Sequence, residues 1–504
     1  MSNLDKIKNT VDEQLNGGAT FVIFGASGDL ARKKTFPALF RLYKNNLLPK
    51  SSSILGYARS HLDHDAFLER VVEHIGKDED KKTIDGFTKL CTYLSGQYDE
   101  DESFKKLDQV ISKSEDERGM KSGQKNRIFY MALPPSVFLD VAKECHKLAL
   151  ASDEKSVNRV VIEKPFGKDS ESCGELLKNL RPLFSENETY RIDHYLGKEM
   201  VKNIMPYRFS NTLFSPVWNS THIDSVQITM KEPFGTEGRG GYFDEYGIVR
   251  DVMQNHLLQI MSLIAMERPI GRDAEAIRDE KVKVLRCVKP IELKDVLIGQ
   301  YVGNGENPGY LDDKTVPKGS LCATYAAMVL WIDNERWDGV PFILKAGKAL
   351  DKAKVEVRVQ YKKVPGSLYG GVSRNETVMR VQPNEVIYNK FNNKTPGLTE
   401  HPMVTEMNLT YKERFKNLQI PDAYESLILD VMRGDHSNFV RDDELDAAWR
   451  IFTPVLHKIE QDRIKPEPYK YGTRGPEQEA RFVQRYGVEQ LTEGYTWPKQ
   501  DVEQ

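Results

Sequence analysis

Apolar residues fall into short continuous runs in the first part of this chain and into looser, partly alternating strands in the second. Residues 19–24 (ATFVIF) form a β-branched run that stops at Gly25-Ala26-Ser27-Gly28-Asp29-Leu30-Ala31. Beyond it Leu39, Phe40, Leu42 and Tyr43 repeat on one side of a helix. Three further runs, SILGYA from Ser53, RIFYMALPP from Arg127 and RVVIEKPFG from Arg159, each end in polar or proline-rich residues. Parallel strands covered on both faces read this way. Residues 77–125 are highly charged and predict exposed helices and loops. Residues 222–231, 321–332, 354–363, 377–382, 385–390 and 406–411 predict strands, with alternation at Val355, Val357, Val359 and Tyr361. Turns such as Gln382-Pro-Asn-Glu385 point to hairpins and a largely antiparallel sheet. Helical patterns interrupt it at 248–266 and 442–459, and no internal repeat is present.

The fold class predicted is α/β followed by α+β. An N-terminal Rossmann-like dinucleotide-binding domain precedes a β+α domain with a large, mainly antiparallel sheet. The expected partition is a flexible lead over 1–18, the nucleotide domain over 19–195 and the second domain over 196–504. Strand, glycine turn and helix open a dinucleotide-binding unit, although Gly-x-x-Gly-x-x-Ala departs from the usual G-x-G-x-x-G. Its glycines let the backbone approach a pyrophosphate at a helix N-terminus. Where an NAD enzyme places an acid to hold the ribose 2′-hydroxyl, this chain has Arg59, 34 residues after Gly25 against the usual ~20. A cation there suits a 2′-phosphate, so NADP is the expected cofactor. Lys164, before Pro165, stands at the active edge of such a sheet, and its bond to proline is a candidate for the cis form.

Length and composition narrow the class. At 504 residues the chain exceeds one core, and 39% hydrophobic with 29% charged residues fits a soluble globular protein. A net charge of −3 offers no electrostatic case for nucleic acid or membrane. The longest apolar run, about 323–332, is about half of what a bilayer span needs. The first eighteen residues lack an apolar signal core and carry three acids, so a cytoplasmic address is expected. Cysteines 91, 145, 173, 287 and 322 form no CxxC, and His61-x-x-His64 lies in a helical pattern with a solvated face.

One polar stretch concentrates chemistry: Arg191-Ile192-Asp193-His194-Tyr195-Leu196-Gly197-Lys198-Glu199. His194, Tyr195 and Lys198 are donors suited to an anionic group such as phosphate. Asp193 is an acceptor that can orient a base arriving from elsewhere. His256 has the pKa range for taking a proton from an alcohol, and a carboxylate partner would fix its tautomer. Asp251 lies five residues before it, at a neighbouring but distinct angle on a helix.

The motifs GASGDLA, GYARS, MALPPSVF, EKPFG, RIDHYLGKE, KEPFGTEGRGGYFDEYGIVRDVMQNHLLQ and RVQPNE together resemble the eukaryotic, cytosolic glucose-6-phosphate dehydrogenases from about residue 19 onward. RIDHYLGKE is the most specific of them, and the glycine turn is generic. The resemblance implies oxidation of glucose 6-phosphate to 6-phosphoglucono-δ-lactone with hydride transfer to NADP, by a homodimer or homotetramer assembled through the second domain. It implies that Gly25, Ala26, Ser27, Gly28, Asp29, Leu30, Ala31, Arg32 and Arg59 hold NADP, with Tyr130 and Lys164 beside it. His194, Tyr195 and Lys198 then bind the sugar phosphate, and Glu232, Asp251, Lys164, Lys348 and Gln382 contact the substrate. His256 is the base and Asp193 its partner. No metal is implied, because a carbonyl forms without charge left on oxygen. Five residues after Lys348, where many relatives carry a second cation, stands Ala353 between Lys352 and Lys354, so which lysine substitutes is open. Some eukaryotic relatives hold a structural NADP, and the matching positions are Lys354, Arg358, Arg380, Tyr388, Lys390, Arg474 and Trp497, although Lys345 replaces an arginine.

Two rival readings share part of the pattern. An oxidoreductase of an unphosphorylated sugar, with Rossmann and EKP architecture, lacks RIDHYLGKE. A non-catalytic NADP-sensing protein has no use for pairing Asp193 with His256.

Overall fold

Six strands form the first sheet: β1 (Gly18–Phe24), β2 (Ser51–Ala58), β3 (Cys91–Ser95), β4 (Arg127–Met131), β5 (Asn158–Glu163) and β6 (Thr189–Ile192). All neighbours are parallel, in the order β3-β2-β1-β4-β5-β6. This is the order of a doubly wound nucleotide-binding sheet, with its switch point between β1 and β4. β1 and β4 are buried along their whole length, which is why their sequences read as unbroken apolar runs. The computed structural model describes residues 3–76, 78–370, 372–398 and 400–488.

Two features of this unit correct the sequence reading. The charged region 77–125 contains β3 as well as helices. As an edge strand, β3 buries only Cys91 and Leu94, so it shows no apolar run. The expected flexible lead is instead a helix, Asn3–Leu15, that places Val11 and Leu15 fully inside. Ile7, Val11 and Leu15 recur every four residues and form the buried stripe. Asn126 anchors the end of this helix, donating to the carbonyls of Leu15 at 2.7 Å and Gly18 at 2.8 Å.

The partition at 195/196 is also corrected. The first compact unit takes the chain up to Lys202 and adds Arg268–Val282 and Gln419–Trp449; Asn203–Glu267, Lys283–Leu418 and the chain from Arg450 onward form the second. The two returning segments are held together by a fully buried Lys281–Glu444 ion pair at 2.8 Å. The helix Ala423–Arg433 packs on the Asn3–Leu15 and Phe36–Lys44 helices. Its last turn gives the carbonyls of Val431 (2.6 Å) and Met432 (2.9 Å) to the buried guanidinium of Arg159.

The second unit carries nine strands: β7 (Ile223–Lys231), β8 (Val296–Val302), β9 (Tyr325–Trp331), β10 (Pro341–Gly347), β11 (Lys354–Tyr361), β12 (Glu376–Gln382), β13 (Val386–Lys394), β14 (Pro402–Thr410) and β15 (Glu467–Lys470). Their order is β14-β13-β12-β11-β7-β10-β9-β8-β15, antiparallel except for β7–β10 and β8–β15. The sequence reading did not find β8, β10 and β15. In β11 the valines at 355, 357 and 359 face an apolar layer, as alternation predicts. A nine-residue π-helical stretch, Val249–Leu257, runs into the buried α-helix Leu258–Ala265.

Candidate active site

The glycine turn is dictated by crowding where β1 meets β4. Gly25 has φ +74°, and a Cβ on it would sit 2.2 Å from the carbonyl oxygen of Ala132, so only glycine fits. The amides of Gly25 and Ala26 both donate to the Tyr57 carbonyl, at 2.9 and 3.2 Å. Arg70 braces the turn by donating to the Ser27 carbonyl at 3.0 Å. Asp29, exposed, bonds Arg32 at 2.6 Å and Lys33 at 3.0 Å, and these two cations hold its carboxyl below the usual range. Arg32 also makes a two-pronged contact with Glu73 at 3.0 and 2.9 Å.

Arg59 differs from these. Its guanidinium lies 5.3 Å above the ring of Tyr98, and no carboxylate pairs with it among the described residues. A planar cation without a carboxylate partner, beside the end of β2, fits a 2′-phosphate better than Arg32 or Lys33, which already have acidic partners. The turn and Arg59 together therefore suit NADP.

Tyr130, near the end of β4, donates its hydroxyl proton to Glu163 at 2.6 Å, both being buried. Glu163 ends β5 and Lys164 follows, joined to Pro165 by a cis bond. In the next strand the polar stretch begins inside β6, whose four residues are buried; Arg191 is neutralised there by Glu186 at 2.8 Å. Asp193, buried, accepts the Tyr195 amide at 3.0 Å and caps a single tight turn, His194–Gly197. His194 stacks on Tyr424 with ring centres 5.9 Å apart and planes 9° from parallel. Lys198 lies 4.9 Å over the Tyr195 ring. The donors expected to hold phosphate are therefore neighbours, set on a turn by a buried carboxylate.

In the second unit, Lys348 joins the two acids expected beside the substrate. Its ammonium lies 2.6 Å from Glu232 and 3.8 Å from Asp251. It also faces the rings of Phe243 at 5.2 Å and Phe234 at 5.9 Å. Asp251 and His256 lie on the π-helical stretch. Bonding from i to i+5 widens the turn, so these two residues lie closer in angle than on an α-helix while remaining offset from one another. His256 is buried, while Asp251 is partly open. Gln382 ends β12 opposite Val355 of β11, which faces Met230 of β7, in line with the strand end that leads to Glu232.

Lys352 is exposed, whereas Lys354 lies 3.0 Å from Glu356 and burial brings its ammonium down to about 8. Glu356 also meets Arg358 at 3.0 Å and Arg380 at 3.3 Å. Burial alone would raise its carboxyl, but Arg358 and Lys354 hold it at about 2. Glu376 pairs with Arg358 and, at 2.8 Å, with Lys390. Four cations thus share two buried acids that sequence reasoning missed. The signal was present in the polar face of KVEVRVQY, where Glu356 alternates with Lys354 and Arg358. Tyr388 is buried and pushed up to about 12 by burial and Glu356. Arg474 follows Thr473, which bridges Leu350, and Trp497 lies outside the described residues.

The domain model described as glucose-6-phosphate dehydrogenase, NAD binding domain, matches residues 22–203, and the C-terminal domain of the same enzyme matches 205–497. The chain belongs to the glucose-6-phosphate dehydrogenase family. A family member from Emericella nidulans, glucose-6-phosphate 1-dehydrogenase, is 54% identical, covering 99% of this chain and 98% of its own. The Saccharomyces cerevisiae glucose-6-phosphate 1-dehydrogenase is 53% identical, covering 94% of this chain and 95% of its own. Among solved structures, a glucose-6-phosphate dehydrogenase in complex with glucose 6-phosphate superposes with a TM-score of 0.90 at 49% identity, covering 94% of this chain and 99% of that one. The Rossmann-like domain and the mixed, mainly antiparallel sheet are those of this family.

Proposed function

We propose that the chain oxidises D-glucose 6-phosphate at C1 to 6-phosphoglucono-δ-lactone, with hydride passing to NADP to give NADPH, the first step of the oxidative pentose phosphate pathway. The observation that carries this reading is the 0.90 superposition, over nearly the whole chain, on a family member holding glucose 6-phosphate. NADP supplies the hydride acceptor; the chain supplies binding, orientation and a proton acceptor. Gly25–Arg32 and Arg59 hold the nucleotide, with Tyr130 and Lys164 beside it. His194, Tyr195 and Lys198 take the phosphate, supported by their common turn. Glu232, Asp251, Lys348, Lys164 and Gln382 orient the sugar. His256 removes the anomeric hydroxyl proton, and Asp193 stabilises the imidazolium that results. Lys352 is the better candidate for the missing second cation, because Lys354 is committed to Glu356.

Cytoplasmic residence is supported by five cysteines that are all free, a state suited to a reducing compartment. No helix among the described residues is long and apolar enough to cross a membrane. Homo-oligomerisation through the second unit is supported by the open edge of its sheet, where β14 exposes Met407 and neighbouring β13 exposes Phe391. Light scattering measures the subunit number. The activity is tested by NADPH formation from NADP with glucose 6-phosphate and with free glucose. Turnover confined to the phosphorylated sugar is expected. Equal turnover of glucose would favour the rival sugar oxidoreductase, and NADP binding without turnover the sensing protein.

A further inference from the structure

Glu163 is an ionisable group that the reaction as read above does not use. It closes β5 opposite Ile192 of β6, one residue before Asp193, while its partner Tyr130 stands at the end of β4. It is therefore at the carboxyl edge of three adjacent parallel strands, where open α/β sheets bind their ligands. Its carboxyl is buried and receives the Tyr130 hydroxyl at 2.6 Å. The groups that face it are Tyr130 of β4, Lys164 next in the chain, Asp193 after β6 and Tyr424 of the helix Ala423–Arg433. One cation therefore sits among two acids and two phenols that stay neutral, because burial holds both hydroxyls far above their ordinary range.

We propose that Glu163 is a specificity-determining residue that tells oxidised from reduced nucleotide by its charge: the cationic nicotinamide of NADP⁺ drives its proton to solvent, and the neutral ring of NADPH lets the proton return. This rests on the reading that Tyr130 and Lys164 flank the cofactor, since Glu163 is bonded to the first and adjacent in sequence to the second. A carboxyl in so dry a position is poised between its two states. Burial raises it to about 7, with the Tyr130 hydroxyl and Lys164 pulling it down and Asp193 pushing it up. A nearby positive charge favours the carboxylate, so NADP⁺ lowers this value and, by reciprocity, binds the ionised form more tightly. The proton leaves as H⁺ to buffer, and no other bond changes.

The sign follows from linkage. NADP⁺ affinity relative to NADPH is fully present above the carboxyl's value in the free protein and is lost as pH falls through its lower value in the NADP⁺ complex. The 2′-phosphate titrates in both nucleotides and cancels from the ratio. Kd values for NADP⁺ and NADPH are measured on the full chain from about pH 5.5 to about 8.5, alongside infrared spectra of the nucleotide-free protein. A coupling of half to one pK unit gives a ratio change of about three- to tenfold. Glu163→Gln is expected to flatten the ratio and to remove a buried carboxylic-acid band that otherwise fades as pH rises through neutrality. Tyr130→Phe removes the donor that favours the carboxylate, so it is expected to move both transitions to higher pH; it decides the matter if Glu163→Gln does not fold. A ratio independent of pH in the wild-type chain, despite a titrating band, would overturn the inference and leave the cofactor reading standing. An unchanged pH dependence in Glu163→Gln would do the same. Failure of the wild-type chain to bind NADP at all would overturn both.

Discussion

A Cβ on Gly197 would lie 2.5 Å from the carbonyl oxygen of Ala423 and 2.9 Å from the Leu427 side chain. The glycine of RIDHYLGKE thus lets the turn of phosphate donors seat directly on the helix Ala423–Arg433. Gly197→Ala forces the two apart. Overpacking of this kind costs about 1–3 kcal/mol, and a lowered melting temperature in calorimetry is expected together with weaker glucose 6-phosphate binding. A variant as stable and as tight as wild type would show that the turn shifts freely.

His256→Asn is expected to lower turnover by at least ~10²-fold, the scale of a lost general base, with a smaller change in substrate binding. Asp193→Asn should also slow turnover, by favouring the wrong tautomer. Steady-state kinetics checks both, and near-wild-type turnover removes the residue from its role.

Lys198→Ala deletes a charge-assisted contact worth roughly 1.5–3 kcal/mol. That corresponds to a loss of about ten- to a hundredfold in binding glucose 6-phosphate and little for free glucose. Titration with both sugars separates the cases, because equal losses would mean that Lys198 does not hold the phosphate.

Arg59→Ala should weaken NADP far more than NAD, since only NADP carries the 2′-phosphate a guanidinium can grip in a fork. Arg32 and Lys33 are held by Asp29 and Glu73, so they are poor substitutes. Unchanged cofactor preference would show that selection resides elsewhere.

The cluster of Lys354, Arg358, Arg380 and Lys390 bears on a second nucleotide. Glu356 and Glu376 neutralise half of its charge, leaving a net positive patch beside Tyr388. If the patch holds a structural NADP, the nucleotide stabilises the fold by RT ln(1 + [L]/Kd). NADP should then still raise the melting temperature of Arg59→Ala. One NADP per subunit at saturation, with no stabilisation of that variant, would mean that the two acids have made the cluster self-sufficient.

The sequence showed most plainly what depends on continuous or alternating apolar residues: β1, β2, β4 and β5, and the β11–β12 pair. It hid what depends on exposure or on distant partners. β3 is an edge strand with only Cys91 and Leu94 buried, and β6 carries Arg191, whose burial depends on Glu186. The same holds for the site. The glycine turn was legible from spacing, whereas the Asp193 cap over Tyr195 was not, because the same carboxylate was expected only to orient a base. Glu163 was not singled out, because a strand-terminal glutamate looks solvated until the Tyr130 hydroxyl is seen against it. The π-helical stretch was not legible either, and it brings Asp251 and His256 closer in angle than 3.6 residues per turn would.

The return of Arg268–Val282 and Gln419–Trp449 to the nucleotide-binding unit has a consequence for synthesis. Domains usually fold as they leave the ribosome, N-terminal first. Here the six-stranded sheet is translated by Ile192, yet the helix that seats Gly197 and satisfies Arg159 is not. While more than two hundred further residues are being made, Tyr190 lacks Phe439 and His436, and Arg159 lacks its carbonyls. The unit whose sheet is made first is thus completed only when Trp449 is reached, and until then its unfinished face is the surface a chaperone would find.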